Sequence, residues 1–309
     1  MPITFRPHIY DEVLKNPYSQ GYRQAKVITG FASSSFIYHV VHEFPDLDLD
    51  VIIGMARQNG VSLWDHKEYI RIADSTGRLN VRYYQGKIPV HIKGVLWPSN
   101  KTEIAFTGSS NFSWNGFRDF DELMVDVSPI ELRDAFPNEN LINCKDPGVE
   151  ATGLVLDSIG ARLPKSLRDI AISKEVVHLP LFSEKQKRMH ERSGLNWGQR
   201  PEYSREPNQA YLPVPKSIHD EHSDFFPPKN EEFTLVTDDG ESFVCVMAQD
   251  NRKAIETRYD NSILGKYFRA RLKVPQGDFV TMENLVTYGR KTVSIYKLSR
   301  ELYYLDFLV

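Results

Sequence analysis

Between residues 180 and 228 the chain carries seven prolines: Pro180, Pro201, Pro207, Pro213, Pro215, Pro227 and Pro228. A proline inside a helix removes a hydrogen bond and clashes with the preceding turn, and it pushes the residue before it towards extended backbone. No long helix fits among them. The composition shifts near residue 174, so the chain reads as two unlike halves. Its 309 residues also exceed what one ordinary core covers. Two domains are predicted, 1–173 and 174–309.

Ahead of the shift, strand and helix patterns alternate. K-V-I-T-G-F-A-S (26–33) reads as a buried strand, and S-F-I-Y-H-V-V-H-E-F (35–44) as a helix opening on serines that cap well. L-D-L-D-V-I-I-G-M-A (47–56) turns wholly apolar, as a central strand does. A helix over 62–73 and a strand over 79–84 follow, and strands then cluster at 88–97, 103–107 and 120–127. A helix is predicted to start near Ser113, and another over 151–159. The pattern predicts an α/β domain, a mixed sheet flanked by helices. Behind the shift, 233–250 reads as strand, D-D-G turn, strand. Two more strands, 293–298 and 301–307, surround a tight turn, so the second domain is predicted to be mostly β and barrel-like.

The chain contains no run of about 18 apolar residues, which excludes a transmembrane helix by sequence. The opening M-P-I-T-F-R-P-H-I-Y lacks the basic-then-apolar pattern of a signal peptide, and a cytoplasmic location is expected. Cys144 and Cys245 are the only cysteines, too few and too far apart for a disulfide framework or a metal knot. A net charge of −3 by itself argues against a nucleic-acid partner. The average hides local bias. Residues 251–273 hold seven basic residues (Arg252, Lys253, Arg258, Lys266, Arg269, Arg271, Lys273) against Glu256 and Asp260. Residues 185–205 hold six against Glu191 and Glu202. Such segregation fits basic contact arms on an acidic body, or solvated clusters with no partner. Arg269 and Arg271 alternate with apolar neighbours and read as solvated or phosphate-touching, whereas Tyr267, Phe268 and Leu272 read as core. Trp64, Trp97 and Trp114 read as packing residues, and Trp197 lies beside the first basic cluster.

The candidate chemistry lies between residues 90 and 125. His91 and Lys93 stand two apart in the strand predicted over 88–97, so they are expected to project together from one face. Gly108-Ser109-Ser110-Asn111 follows the next strand and offers a hydroxyl, an amide and backbone N–H groups. The set suits a phosphate. No Gly-rich phosphate loop and no two-metal carboxylate cluster is present, so side chains must do the work. A histidine can do so covalently: it attacks phosphorus, and water releases the phosphoenzyme. Lys93, Ser109 and Asn111 would offset transition-state charge, and a carboxylate would hold the histidine tautomer.

H-I-K at 91–93 with G-S-S-N at 108–111 resembles the H-x-K…G-S-x-N motif of the phospholipase D superfamily. Glu122, in D-E-L-M-V, looks like the glutamate that the family's small nucleases carry before an apolar run. The family's usual aspartate is missing; five residues past Lys93 stands Pro98, and Glu103 takes no assigned role. That departure resembles the restriction-endonuclease branch. G-L-N-W-G-Q-R-P (194–201), N-Q-A-Y-L-P-V-P (208–215), the block 253–272 and V-T-M-E-N-L-V-T-Y-G-R (280–290) are similar to the C-terminal half of NgoFVII-type restriction endonucleases. The resemblance implies a phospholipase-D-like nuclease and dimerisation domain followed by a DNA-binding pseudobarrel like that of plant auxin-response factors. It implies catalysis by His91, Lys93, Ser109, Asn111 and Glu122, with no metal and no cofactor.

It also implies two arms in the major groove of double-stranded DNA. Candidates in the first are Asn196, Gln199, Arg200, Tyr203 and Arg205; in the second, Asn251, Arg252, Lys253, Thr257 and Arg258. One H-x-K occurs where the family's active sites need two, which implies a homodimer with one shared site. The expected function is a metal-independent type II restriction endonuclease. The alternative is a sequence-specific DNA-binding protein whose nuclease-like half only dimerises. A companion methyltransferase or an ATP-driven subunit stays open. A lipid phosphodiesterase is disfavoured, because no second copy of the motif and no interfacial helix is present.

Overall fold

The computed structural model describes residues 3–5, 8–100, 102–156, 175–258 and 260–309. The chain divides into two compact units, Met1–Gly160 and Ala161–Val309. The boundary predicted at 173 and 174 falls outside the described residues, and so do residues 157–159 of the helix predicted over 151–159.

In the first unit the strands are β1 (Ile3–Phe5), β2 (Gln24–Thr29), β3 (Asp48–Ile53), β4 (Val61–Ser62), β5 (Leu79–Tyr84), β6 (Lys93–Trp97), β7 (Ile104–Gly108), β8 (Leu123–Asp126), β9 (Leu141–Asn143) and β10 (Val155–Leu156). Eight of them form one sheet in the order β1-β8-β7-β6-β2-β3-β5-β9. Strands β2, β3 and β5 are parallel, and the other pairings are antiparallel. The mixed sheet predicted from sequence is thus present. The alternation of L-N-V-R-Y-Y is observed as buried Leu79, Val81 and Tyr83 between less buried neighbours. One face of the sheet packs under the helices Ser34–Glu43 and Leu63–Thr76, through Phe36, Ile37, Val40, Tyr69 and Ile72. Burial of such side chains is worth about 1.5–3 kcal/mol each. Ser62 caps the second helix by accepting a hydrogen bond from Asp65 N at 3.2 Å, and Gly77 ends it at φ 67°.

Three sequence expectations change. The strand predicted from residue 88 starts only at Lys93. Pro89 cannot donate to a ladder, and the Val90 amide turns to the Gly54 carbonyl instead, at 3.2 Å. His91 and Ile92 therefore lie in an irregular lead-in, and pleat alternation does not govern them. The helix expected from Ser113 is one wide turn over Asn115–Asp119. It is too short to carry a useful dipole. Over 151–156 there is a tight turn, Val149–Thr152, and then β10, which pairs in parallel with β4.

The second unit carries β11 (Val176–Pro180), β12 (Leu212–Pro213), β13 (Glu232–Thr237), β14 (Ser242–Ala248), β15 (Ala254–Thr257), β16 (Thr292–Lys297) and β17 (Leu302–Asp306). They form one sheet in the order β11-β16-β17-β13-β14-β15-β12. Its two edge strands approach within 8 Å between Cα atoms, so the sheet is a nearly closed barrel. The predicted hairpin is observed, with Leu235 opposite Phe243 and Gly240 at φ 92° in the turn. The predicted pair of C-terminal strands is observed as β16 and β17. Phe233, Leu235, Phe268, Tyr303 and Phe307 fill the interior, with Phe268 supplied by the helix Ser262–Leu272. Among the described residues no helix is long and apolar enough to cross a membrane.

Candidate active site and nucleic-acid interface

The antiparallel strands β6, β7 and β8 carry the catalytic candidates to one end of the sheet. Lys93 pairs with Gly108, and Gly108 with Met124, so the residues just beyond these strand ends converge. Gly108 is required there. A Cβ on it would lie 2.0 Å from the Leu123 carbonyl oxygen.

Lys93 is only 7% exposed. Its Nζ lies 2.9 Å from Nε2 and 3.0 Å from Nδ1 of His91, and donates to the His91 carbonyl at 2.8 Å. The irregular lead-in thus still brings the two side chains together, because the lysine reaches back over the ring. Burial holds the Lys93 pKa below its usual value, and the Glu122 carboxylate pulls in the opposite direction. A buried ammonium beside an imidazole is a ready counter-charge for a phosphate.

Ser109 donates from Oγ to the Glu122 carboxylate and accepts from Leu123 N at 3.2 Å. Glu122 is therefore paired with Ser109. Within one chain the glutamate supports the serine, where the sequence suggested that it supports the histidine. Asn111 Oδ1 accepts from the Phe31 amide at 3.3 Å. Thr29 Oγ1 donates to the Phe31 carbonyl at 2.7 Å and accepts from Phe112 N at 3.1 Å. The segment Thr29–Phe31 was not singled out from sequence. The signal available was its place at the carboxyl end of a parallel strand, where sites in α/β sheets gather. Glu103 is paired with Arg133, away from this chemistry.

Among the described residues no group of three or more His, Cys, Asp and Glu is arranged to hold a metal ion. The positive charge beside His91 is that of Lys93.

In the second unit the arm candidates separate into braces and projecting groups. Asn196 is 0% exposed; its amide donates to the carbonyls of His190 and Val280 and accepts from Val280 N. Thr257 is buried and donates to the Asp260 carbonyl at 2.7 Å. Neither is available to a base, which corrects the expectation for both. Gln199 donates to the carbonyls of Pro207 and Gly277. Arg252 donates to the carbonyls of Ser223, Phe226 and Pro227, and so ties its own loop down. Arg258 pairs with Glu232 at 3.1 Å. Arg200 donates to the Arg192 carbonyl at 2.5 Å.

Tyr203 is 68% exposed, and Asn251 and Lys253 are exposed too. The Arg205 guanidinium stacks 4.1 Å from the Trp197 ring centroid, which gives that tryptophan a role beyond packing. Gln249 (φ 60°, ψ 176°), Asn251 (φ 58°, ψ 25°) and Arg252 (φ 53°) all hold left-handed backbone within four residues. Each such residue costs roughly 1–3 kcal/mol, and strain of this kind collects at functional loops. The two helix arginines are not solvated as expected. Arg269 is 0% exposed, and Arg271 bonds Asp238, Tyr267 and Tyr288. A helix with a barrel on one side and the 194–209 loop on the other has no solvated flank at Arg269.

A sheet that gathers a histidine, a lysine, a serine and an asparagine at one end, joined in sequence to a nearly closed β-barrel, defines the class: a phospholipase-D-like domain with a DNA-binding barrel. Residues 7–149 match the family of the NgoFVII restriction endonuclease N-terminal phospholipase D domain. Residues 171–299 match that of the NgoFVII C-terminal B3-like DNA-binding domain. The chain belongs to the NgoFVII restriction endonuclease family, whose N-terminal domain makes it a nuclease. Among curated proteins none matches it. Three solved structures are similar to it at low identity. They are a polyphosphate kinase from Porphyromonas gingivalis (10% identity, TM-score 0.32, 43% of this chain and 21% of that one), NucT from Helicobacter pylori (15%, 0.32, 43% and 89%) and the phospholipase D family member Nuc from Salmonella typhimurium (13%, 0.33, 43% and 86%).

Proposed function

We propose that the protein cleaves double-stranded DNA at a specific sequence, without a metal ion, through a phosphohistidine on His91 at one site shared by a homodimer. The observation that carries the reading is the buried Lys93 ammonium held against the His91 ring, with Asn111 and the Ser109–Glu122 pair at the same end of the sheet. The imidazole attacks phosphorus, and the bond from phosphorus to the leaving sugar oxygen breaks. His91 of the second subunit protonates that oxygen. Water then attacks the phosphohistidine, the second histidine takes its proton, and the P–N bond breaks. Lys93, Ser109 and Asn111 offset the charge on the five-coordinate phosphorus.

Phe31, Ile92, Phe120 and Leu123 are exposed apolar side chains next to site residues in sequence. Such a rim favours a covering copy of the chain. Phe120 is 56% exposed, and Phe120→Lys is expected to convert dimer to monomer in sedimentation and to lower cleavage at least about tenfold. An unchanged dimer that cuts normally would remove this face from consideration. A restriction enzyme of this kind works in the cytoplasm, beside a methyltransferase that shields the host's own sites.

Incubation of fully sequenced phage DNA with the protein in excess EDTA tests the proposal. Discrete fragments and an acid-labile phosphoprotein are expected. Sequence-specific binding without cuts would leave only the DNA-binding alternative, and a need for divalent metal would remove the mechanism.

In the second arm Asn251 is the reader and Arg252 the brace. Asn251→Ala should cost about 1–3 kcal/mol on the cognate site and almost nothing on other DNA. Arg252→Ala should weaken both, because the loop it ties down loosens. Equal losses on cognate and unrelated DNA for Asn251→Ala, measured by filter binding, would make it a phosphate contact.

A further inference from the structure

We propose that the segment Thr29–Phe31 is a third working part of the active site: it sets which end of the Asn111 amide faces the phosphate, and its glycine makes the seat for the His91 ring. The inference rests on the nuclease reading and adds positioning residues to it.

An asparagine amide has an accepting end and a donating end, and ordinarily only its partners tell which is which. Here one partner is a backbone N–H, which can only donate. Phe31 N lies 3.3 Å from Asn111 Oδ1, so the oxygen must face the segment and the two Nδ2 protons must face the other way. Those protons are the donors that a phosphoryl oxygen needs as its charge grows. Turned over, Asn111 would present an oxygen to an anion and repel it.

The segment is held on both sides. The Thr29 and Gly30 carbonyls accept from the amides of Gly54 and Met55 at 2.8 and 3.4 Å. On the other side the Thr29 hydroxyl joins the Phe31 carbonyl to Phe112 N, and Ser33 N donates to the Phe112 carbonyl at 3.1 Å. Thr29 thus grips the residue after Asn111 and the residue whose amide holds it. Thr29 is buried, so no water competes for that hydroxyl.

Gly30 adds a steric condition. A Cβ there would lie 2.8 Å from Cδ2 and 3.2 Å from Nε2 of His91, and 3.3 Å from Asn111 Oδ1. Its φ lies outside the left-handed range, so alanine meets no backbone strain at this position. The methyl group presses on the His91 ring first, and less closely on the Asn111 amide oxygen. The atoms it would displace belong to the nucleophile, where a misplacement of about 1 Å can cost about 100-fold in rate.

Five variants of the protein test this, with DNA that the wild type cuts. Gly30→Ala should bind DNA as the wild type does and lose about 100-fold in single-turnover cleavage. Thr29→Val should lose about tenfold, and Thr29→Ser, which keeps the hydroxyl, should recover most of it. Hydrogen exchange at the Phe31 amide supplies a readout that needs no activity. Protection should persist in Asn111→Asp, which keeps the accepting oxygen, and vanish in Asn111→Ala. Cleavage should fall in both, because both lack the Nδ2 donors. Wild-type cleavage by Gly30→Ala, or unchanged Phe31 protection in Asn111→Ala, overturns the inference. If the wild type cuts no DNA, the nuclease reading fails separately, and the exchange pattern still shows whether the segment orients Asn111.

Discussion

His91→Ala should lower DNA cleavage at least about 10⁴-fold while leaving sequence-specific binding within about twofold of the wild type. The imidazole lies beside the Lys93 ammonium at the strand ends, where a nucleophile meets its counter-charge. Without it, water would have to attack directly, and Lys93, Ser109 and Asn111 would have charge to stabilise but no intermediate to form. The ring is exposed at the mouth of the site, so its removal leaves no cavity in the core and the fold should keep its melting temperature. Binding belongs to the second unit, which the substitution does not touch. Residual cutting within about tenfold of the wild type would show that another group is the nucleophile.

Arg269→Met should have the largest effect on stability and on DNA recognition together. Arg269 is fully buried and donates to the carbonyls of Gly265, Leu195, Pro207 and Asp278. Burial pushes its pKa down, and the Glu206 and Asp278 carboxylates counter that shift. The guanidinium is a hub that ties the 194–209 loop to the 275–280 loop, beside the amides of Asn196, Gln199 and Asn208. Methionine fills similar volume and takes the guanidinium donors from the Leu195 and Asp278 carbonyls, while Pro207 keeps the Gln199 amide and Gly265 its helix partner. At about 1–3 kcal/mol for each stranded group, the loss is about 2–5 kcal/mol. Tyr203 and Arg205, carried on the same loop, would lose their fixed placement, and cognate DNA binding should weaken at least about tenfold. An unchanged melting temperature with unchanged affinity would show the hub to be dispensable. Arg269→Lys separates charge from geometry: a lysine keeps the charge but cannot reach several carbonyls in one plane.

The two halves of the candidate site were unequally legible. The H-x-K and G-S-S-N segments stand out because a nucleophile, a cation and a loop rich in donors recur at strand ends, and that juxtaposition survives even though His91 lies outside the strand. Thr29-Gly30-Phe31 does not stand out, since a T-G-F triplet after an apolar run is common. Its role depends on a neighbour 80 residues away. The arms were legible as charge and not as function. Asn196, Arg252 and Arg269 belong to the residue types that read DNA, yet each is committed to backbone carbonyls inside its own unit. Asn251, one residue from Arg252, is exposed on left-handed backbone instead. Polar side chains serve as readers or braces by burial alone, and burial is a property of the folded chain.

By itself the sequence determined the two-part architecture, because proline spacing and hydrophobic period are local and each residue votes independently. It made the candidate site legible for the same reason: the candidate residues come in two short runs. Only the tertiary structure decided which candidate groups gather at one end of the sheet and which polar side chains are committed to bracing the chain. Those choices rest on contacts between segments distant in sequence, where one buried N–H or one missing Cβ sets the orientation of a side chain.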